Sequence, residues 1–150
     1  MNVLYIGSTQ PYAGKTLLVV ALGRLFAQRG VRVGHFRPFG TLPEKRDGAV
    51  VDEDTAFVRE ALGLGDPVGD LCPVVLTPDL VRRALEPNAP SLLGEVTAAY
   101  QRVCKGKDLM LVGGTGSILS AGYLFGLESP RLLPALDARA LLIIRYEDER

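Results

Sequence analysis

The sequence predicts an α/β fold, a doubly wound and mostly parallel sheet with helices on both faces. Apolar runs of strand length alternate with segments of helical periodicity along the whole chain. Residues 3–36 give a strand, a helix and a second strand, and a right-handed crossover would make those two strands parallel. The strands are continuously apolar, which is typical of strands that helices cover on both faces.

Four apolar runs are predicted to be strands: residues 3–6, 31–36, 109–112 and 140–145. Helical spacing, with capping and proline signals, predicts five helices: residues 16–28, 52–62, 78–85, 92–103 and 129–136. The polar residues 41–51 are predicted to form a mobile surface loop, and residues 65–77 and 117–127 are predicted to be irregular.

The segment between the first strand and the first helix carries a phosphate-binding pattern. Gly14, Lys15 and Thr16 open the helix, where unpaired N–H groups at the positive end of the helix dipole hold phosphate oxygens. Lys15 would reach the β- and γ-phosphates, and the Thr16 hydroxyl would bind Mg²⁺. Thr9 stands where the full motif has its first glycine. The predicted nucleotide-binding residues are Thr9, Gln10, Pro11, Tyr12, Ala13, Gly14, Lys15, Thr16 and Leu17.

Other polar residues are predicted near the same edge of the sheet. Arg37 follows the second strand at its carboxyl end, where open α/β sheets bind ligands, or it is a surface arginine that pairs with the acidic loop. Asp52 or Asp54 would cap the second helix. The glycines of residues 113–116 follow the third strand and would let the backbone approach a ligand, or they serve tight packing. His35, the only histidine, is predicted to be a packing residue, with a role near the phosphate site as the alternative.

Composition and length limit the function classes and the domain organisation. The chain has 17 basic and 17 acidic residues, and this balance argues against binding to nucleic acid by bulk charge. It has no apolar run long enough for a membrane span and no leader pattern, and Cys72 and Cys104 lack metal-ligand spacing, so a cytoplasmic protein is expected. Residues 1–150 are predicted to form one domain. Because strand 140–145 comes so late, we expect either a domain truncated at its C-terminal end or a sheet completed by a partner chain.

These motifs together resemble the dethiobiotin synthetase-like branch of P-loop proteins, in the version that forms the N-terminal domain of phosphotransacetylase-like proteins. The cobyrinic acid a,c-diamide synthases are related members. The resemblance covers nearly the whole chain and is carried by residues 8–16, 36–40, 52–54, 72–78 and 113–116.

The resemblance implies ATP and Mg²⁺ as cofactors and Lys15 and Arg37 as the catalytic pair. Arg37 stands where the family places a lysine, and Thr16 matches its Mg²⁺-binding hydroxyl. Asp54, with Asp52 as second candidate, matches the aspartate that holds Mg²⁺. In enzymes of this branch the γ-phosphoryl group is transferred to a carboxylate or carbamate. The branch also implies a homodimer or covalently attached downstream domains.

Two departures from the family pattern bear on catalysis. Arg37 places a planar guanidinium where the family has the compact ammonium of a lysine. Gly113 stands where the enzymes carry a glutamate that binds Mg²⁺. Loss of that carboxylate would weaken phosphoryl transfer more than binding. We therefore expect an ATP- and Mg²⁺-binding regulatory module of a larger protein. The alternatives are an ATP-dependent synthetase that phosphorylates a carboxylate or carbamate, and a scaffold with a vestigial site. The sequence predicts neither the acceptor nor the base specificity.

Overall fold

The computed structural model describes residues 1–146 of the chain. Its strands are β1 (Asn2–Ser8), β2 (Val33–Phe36), β3 (Phe39–Gly40), β4 (Pro43–Arg46), β5 (Ala49–Asp52), β6 (Val74–Val75), β7 (Leu109–Gly113) and β8 (Arg139–Ile143). Its α-helices are α1 (Lys15–Ala27), α2 (Glu53–Leu62), α3 (Val68–Leu71), α4 (Pro78–Ala84), α5 (Leu93–Val103) and α6 (Ser129–Ala135). A single 3₁₀ turn spans Tyr123–Phe125.

A parallel sheet of four strands organises the fold, in the order β2-β7-β1-β8. In its register Ile6 lies beside Gly113 and Leu141, and Phe36 lies beside Val112. The carboxyl ends of β1, β2 and β7 therefore meet at one edge, which is where ligands bind in open α/β sheets.

Helices cover both faces of this sheet, so the predicted fold class is confirmed. On one face α1 and α2 bury a cluster with Ile6, Val19 and Leu111 at its centre. On the other face α3 to α6 bury a larger cluster, with the aromatic pair Phe36 and Tyr100 inside it. The alternation of side chains along the strands sends neighbouring residues into different clusters, as expected for strands buried on both faces.

Residues 41–51 were predicted to be a mobile surface loop, but they contain regular secondary structure. β4 and β5 form an antiparallel hairpin there, with the Asp47-Gly48 pair at its turn. Both turn residues have positive φ, 50° for Asp47 and 81° for Gly48, which is the conformation that a tight hairpin turn requires. An Asp-Gly pair is a strong hairpin signal, but the polar strand residues around it concealed the strand pattern.

Two further segments differ from expectation. Residues 65–77 contain the short helix α3 and the strand β6, which pairs in parallel with β3, where irregular chain was predicted. The predicted strand 140–145 is present as β8 but is not fully buried, because among the described residues it pairs only with β1, and Leu142 is 43% exposed. Within residues 1–146, no helix combines the length and the apolar character needed to cross a lipid bilayer.

Candidate functional site

The loop between β1 and α1 presents backbone N–H groups at a helix start. Gly14 lies immediately before α1 with φ 92° and ψ 17°, a left-handed conformation that glycine adopts at little cost. The Leu18 N–H donates to Gly14 O over 3.0 Å and so begins the hydrogen-bond ladder of the helix. The amides of Lys15, Thr16 and Leu17 precede that ladder and remain available to an anion.

Lys15 is turned back onto the edge of the sheet. Its Nζ donates to Ser8 Oγ over 2.7 Å and to Gly116 O over 2.8 Å, and the side chain is buried. Burial, followed by repulsion from Arg37, lowers the pKa of the Lys15 ammonium, while Asp54 opposes this effect. Lys15 is thus held by two neutral oxygens, and an incoming phosphate would give it the anionic partner that it lacks.

Thr16, Arg37 and Asp54 form a second polar group beside Lys15. Thr16 Oγ1 donates to Asp54 Oδ2 over 3.1 Å, and Arg37 Nη1 donates to the same oxygen over 2.8 Å. Three separate elements supply these residues: the first turn of α1, the segment after β2, and the first turn of α2. The sheet edge brings them together although 38 positions separate Thr16 from Asp54.

Asp52 has a different role, as the N-cap of α2. Its Oδ1 accepts from the Thr55 N–H over 2.9 Å and from Thr55 Oγ1 over 2.8 Å, while Oδ2 accepts from the Leu42 N–H over 3.2 Å. The residue is fully buried and does not line the cavity described below. Of the two aspartates considered for Mg²⁺, the structure therefore leaves Asp54 as the one that faces the cavity.

A cavity of about 430 Å³ lies over these groups. This volume is within the range of small-molecule sites in proteins. Its lining residues come from the loop before α1, the start of α1, the segments after β2, β3 and β7, and the start of α2: Pro11, Tyr12, Ala13, Gly14, Lys15, Thr16, Arg37, Thr41, Leu42, Asp54 and Gly116. The charged lining residues within the described chain are Lys15, Arg37 and Asp54, so the cavity carries a net positive charge suited to phosphate.

Comparison with known proteins identifies the family. The profile of the AAA domain family AAA_26 matches residues 2–150. The chain belongs to this family.

Related proteins agree with the resemblance seen in the motifs. An ATP-dependent dethiobiotin synthetase of Methanococcus vannielii is 27% identical over 123 residues, covering 77% of this chain and 52% of that protein. A cobyric acid synthase of Halorhodospira halophila is 33% identical over 138 residues, covering 77% of this chain and 28% of that protein. A phosphate acetyltransferase of Pseudomonas putida is 29% identical over 149 residues, covering 99% of this chain and 20% of that protein. The chain thus spans about half or less of each relative, and its kinship with dethiobiotin synthetase-like P-loop domains is confirmed.

Not every residue predicted to bind nucleotide lines the cavity of this AAA_26 domain. Thr9, Gln10 and Leu17 do not line it; the Thr9 N–H donates to Ile143 O in β8, and the Leu17 side chain is 74% exposed. Their nucleotide-binding role stays a prediction, with only the Leu17 amide still suitably placed.

Sequence reasoning assigned no role to three residues at the cavity or beneath it, Ser8, Thr41 and Leu42, whereas Gly116 belongs to the glycine segment that was predicted to approach a ligand or to serve tight packing. Ser8 and Gly116 hold the Lys15 ammonium, and Ser8 Oγ also donates to Gln10 O over 2.5 Å. Thr41 and Leu42 line the cavity from the start of the hairpin. The hairpin residues could have been found from the Asp-Gly turn signal, whereas no pattern in the sequence singles out Ser8 as the lysine's partner.

His35 and Gly113 lie beside the site on the same face of the sheet. His35 is paired in register with Leu111, and its Nδ1 is 3.0 Å from Leu111 O, so Nδ1 carries the proton. Its Nε2 is buried without a hydrogen-bond partner. A Cβ added to Gly113 would lie 3.4 Å from the His35 ring, an ordinary contact distance. The predicted packing role of His35 fits this placement, and a Cβ at Gly113 would meet the ring at van der Waals distance.

Proposed function

We propose that this AAA_26 domain binds ATP together with Mg²⁺ in the cavity over Lys15. One observation carries the proposal: Lys15, Thr16, Arg37 and Asp54 line a single cavity at the N-terminus of α1, although they come from three separate segments. Phosphate-binding amides and two cations meet there beside a hydroxyl and a carboxylate, which is the set of groups that P-loop proteins use for a nucleotide with its metal. The printed name of one relative, an ATP-dependent synthetase, supports ATP as the nucleotide.

The side chains of Thr16 and Asp54 fit Mg²⁺. Their oxygens lie 3.1 Å apart and both belong to residues that line the cavity. Mg²⁺ prefers hard oxygen ligands and is commonly held by one or two protein side chains, with phosphates and water completing its shell. When bound, the ion would neutralise charge on the β- and γ-phosphates. The described residues contain no cluster of three or more His, Cys, Asp or Glu side chains, so phosphate would supply ligands that the chain does not.

Replacement of Lys15 tests this proposal. Lys15→Ala should weaken ATP and ADP binding at least about thirtyfold, because a buried charge-assisted contact to phosphate contributes roughly 2 to 3 kcal/mol. Isothermal titration calorimetry with each nucleotide, in Mg²⁺ and in EDTA, measures the effect.

Lys105→Ala is the matched control. Lys105 is an exposed lysine after α5, at the opposite edge of the sheet from the cavity. The Lys105→Ala variant should bind nucleotide with the same affinity as the unchanged chain. Equal affinity of the Lys15→Ala variant and the unchanged chain would contradict a phosphate site at this loop.

The use of the bound nucleotide is a separate question. We propose that the domain acts mainly as a nucleotide-binding regulatory module within a larger protein, because Gly113 places no carboxylate at the end of β7 where the enzymes of the branch carry one. The alternative is an ATP-dependent synthetase acting on a carboxylate or carbamate, and the position of Arg37 beside Lys15 in the cavity favours it.

Restoring the carboxylate discriminates between these two uses. Gly113→Glu should raise Mg²⁺-dependent ATP hydrolysis at least about tenfold, because a carboxylate there would help to hold Mg²⁺ against the transferring phosphoryl group, and stabilisation of its developing charge is worth about 10² or more in rate. The His35 ring leaves an ordinary contact distance for the new Cβ, so the variant should fold. Gly113→Gln has the same shape without the charge and should hydrolyse ATP no faster than the unchanged chain. If Gly113→Glu is equally slow, a missing carboxylate is not what limits turnover.

A further inference from the structure

One carboxylate oxygen of Asp54 accepts hydrogen bonds from two side chains. Arg37 Nη1 donates to Oδ2 over 2.8 Å and Thr16 Oγ1 donates to it over 3.1 Å. The Arg37 side chain is 8% exposed and that of Asp54 is 30% exposed. The ion pair is therefore shielded from water on the arginine side, where attraction between charges is stronger than at an open surface.

Arg37 is anchored so that its guanidinium stays near both aspartates of α2. Its backbone N–H donates to Leu71 O over 2.7 Å, and its Nε lies 3.6 Å from Asp52 Oδ1. That Nε is buried and has no hydrogen-bond acceptor among residues 1–146. The guanidinium thus makes a hydrogen-bonded ion pair with Asp54 and a longer ion pair with Asp52, so the contact with Asp54 is the stronger one.

The charges around the cavity show what this contact does. A bare Asp54 carboxylate would repel the phosphates that Lys15 attracts, since both side chains line the same cavity. Arg37 cancels that repulsion, and a divalent cation on Asp54 would cancel it too. A metal held by both Thr16 and Asp54 would compete with Arg37 for Oδ2, because Oδ2 is the Asp54 oxygen that lies beside the Thr16 hydroxyl.

We infer that Arg37 is the internal counter-cation of Asp54, which Mg²⁺ displaces, and that Arg37 thereby sets how strongly nucleotide binding depends on the metal. Without metal, Arg37 keeps the cavity positive and lets nucleotide bind. With metal, Arg37 is released from Asp54, and the metal cancels the charge of that carboxylate in its place. This inference rests on the proposed nucleotide site, but its metal-binding consequence can be measured without nucleotide.

Metal-free binding of ADP gives the first test. Arg37→Met should weaken ADP binding in EDTA at least tenfold, because the phosphates then face an uncancelled carboxylate, and should weaken it no more than about threefold in Mg²⁺. Arg37→Lys keeps the charge and should recover most of the metal-free affinity. Asp54→Asn should bind ADP in EDTA at least as tightly as the unchanged chain and gain little from Mg²⁺. Calorimetry measures the dissociation constant of each of the four proteins in EDTA and in Mg²⁺, and for each protein the ratio of the two constants is the coupling between metal and nucleotide.

Manganese binding without nucleotide gives the second test, by electron paramagnetic resonance of free Mn²⁺. The Arg37→Met variant should bind Mn²⁺ at least fivefold more tightly than the unchanged chain, and an Arg37→Met/Asp54→Asn double variant should lose that gain. The inference is overturned if Arg37→Met lowers ADP affinity by the same factor with and without metal while Mn²⁺ binding stays unchanged. If the unchanged chain binds no ADP at all, the proposed function fails. The Mn²⁺ comparison still decides whether Arg37 competes with a metal ion for Asp54.

Discussion

Asp52→Ala should lower the free energy of unfolding by about 3 to 5 kcal/mol, the loss expected when a fully buried and hydrogen-bonded carboxylate is removed. The side chain is 0% exposed and accepts hydrogen bonds from Thr55 and from the Leu42 N–H. Its removal would uncap α2, leave buried donors unpaired and take away one of the two carboxylates near Arg37. Urea denaturation followed by circular dichroism measures the change.

Asp54→Ala is the matched comparison, two residues along the same helix. Its side chain is 30% exposed and lines an open cavity, so water replaces the lost contacts and the cost should be about 1 kcal/mol. The Mg²⁺ dependence of nucleotide binding should respond in the opposite order, strongly to a change at Asp54 and little to a change at Asp52. Asp52→Asn, a milder variant chosen because it should stay folded, should keep the Mg²⁺ dependence of nucleotide binding that Asp54→Asn loses. A loss of Mg²⁺ dependence in Asp52→Asn would restore Asp52 as a metal ligand.

A side chain at Gly40 should displace the Asp52 carboxylate without any change to Asp52 itself. A Cβ at Gly40 would lie 2.5 Å from the Cβ, Cγ and Oδ2 atoms of Asp52, closer than real side chains approach. Gly40→Ala should therefore push the carboxylate off the α2 cap and destabilise the domain by an amount similar to Asp52→Ala. If the alanine is tolerated without loss of stability, the cap contributes less than its hydrogen bonds indicate.

The phosphate loop could be predicted from sequence because its requirements are local. A strand, a glycine of positive φ and a Lys-Thr pair at a helix start follow each other in the chain, and the structure places Gly14, Lys15 and Thr16 in that arrangement. The parallel sheet was predictable for a similar reason, since the apolar runs of β1, β2 and β7 need cover on both faces.

The roles of Asp52 and Asp54 could not be separated in the same way. Both acidic residues lie at the start of one helix, and a capping pattern fits either of them. Which carboxylate turns inward is decided by Leu42 and Gly40, which lie in the segment before and at the start of the hairpin. Because a mobile surface loop was predicted there, the backbone that buries Asp52 and leaves Asp54 in the cavity was missing from the prediction.

His35 should make the stability of the domain depend on pH between 5 and 7. Burial lowers the pKa of its imidazole to about 4, against 6.5 for an exposed histidine. As the pH falls below 6.5, the imidazole of the unfolded chain binds a proton while the buried imidazole of the folded chain stays neutral. The free energy of unfolding therefore falls. From pH 7 to pH 5 the expected loss is about 2 kcal/mol, rising to about 3 kcal/mol near pH 4.

The chain offers a clean measurement of this effect because His35 is its only histidine. Ordinary aspartates and glutamates titrate mostly below pH 5, so the slope between pH 5 and 7 belongs largely to one imidazole. His35→Asn can keep a donor toward Leu111 O without titrating, and its free energy of unfolding should be nearly flat over that range. Urea denaturation at several pH values gives both slopes, and the single imidazole signal in NMR should show no protonation above pH 5. An imidazole that titrates near 6.5 would mean that Nε2 reaches water and that the ring is not buried as described.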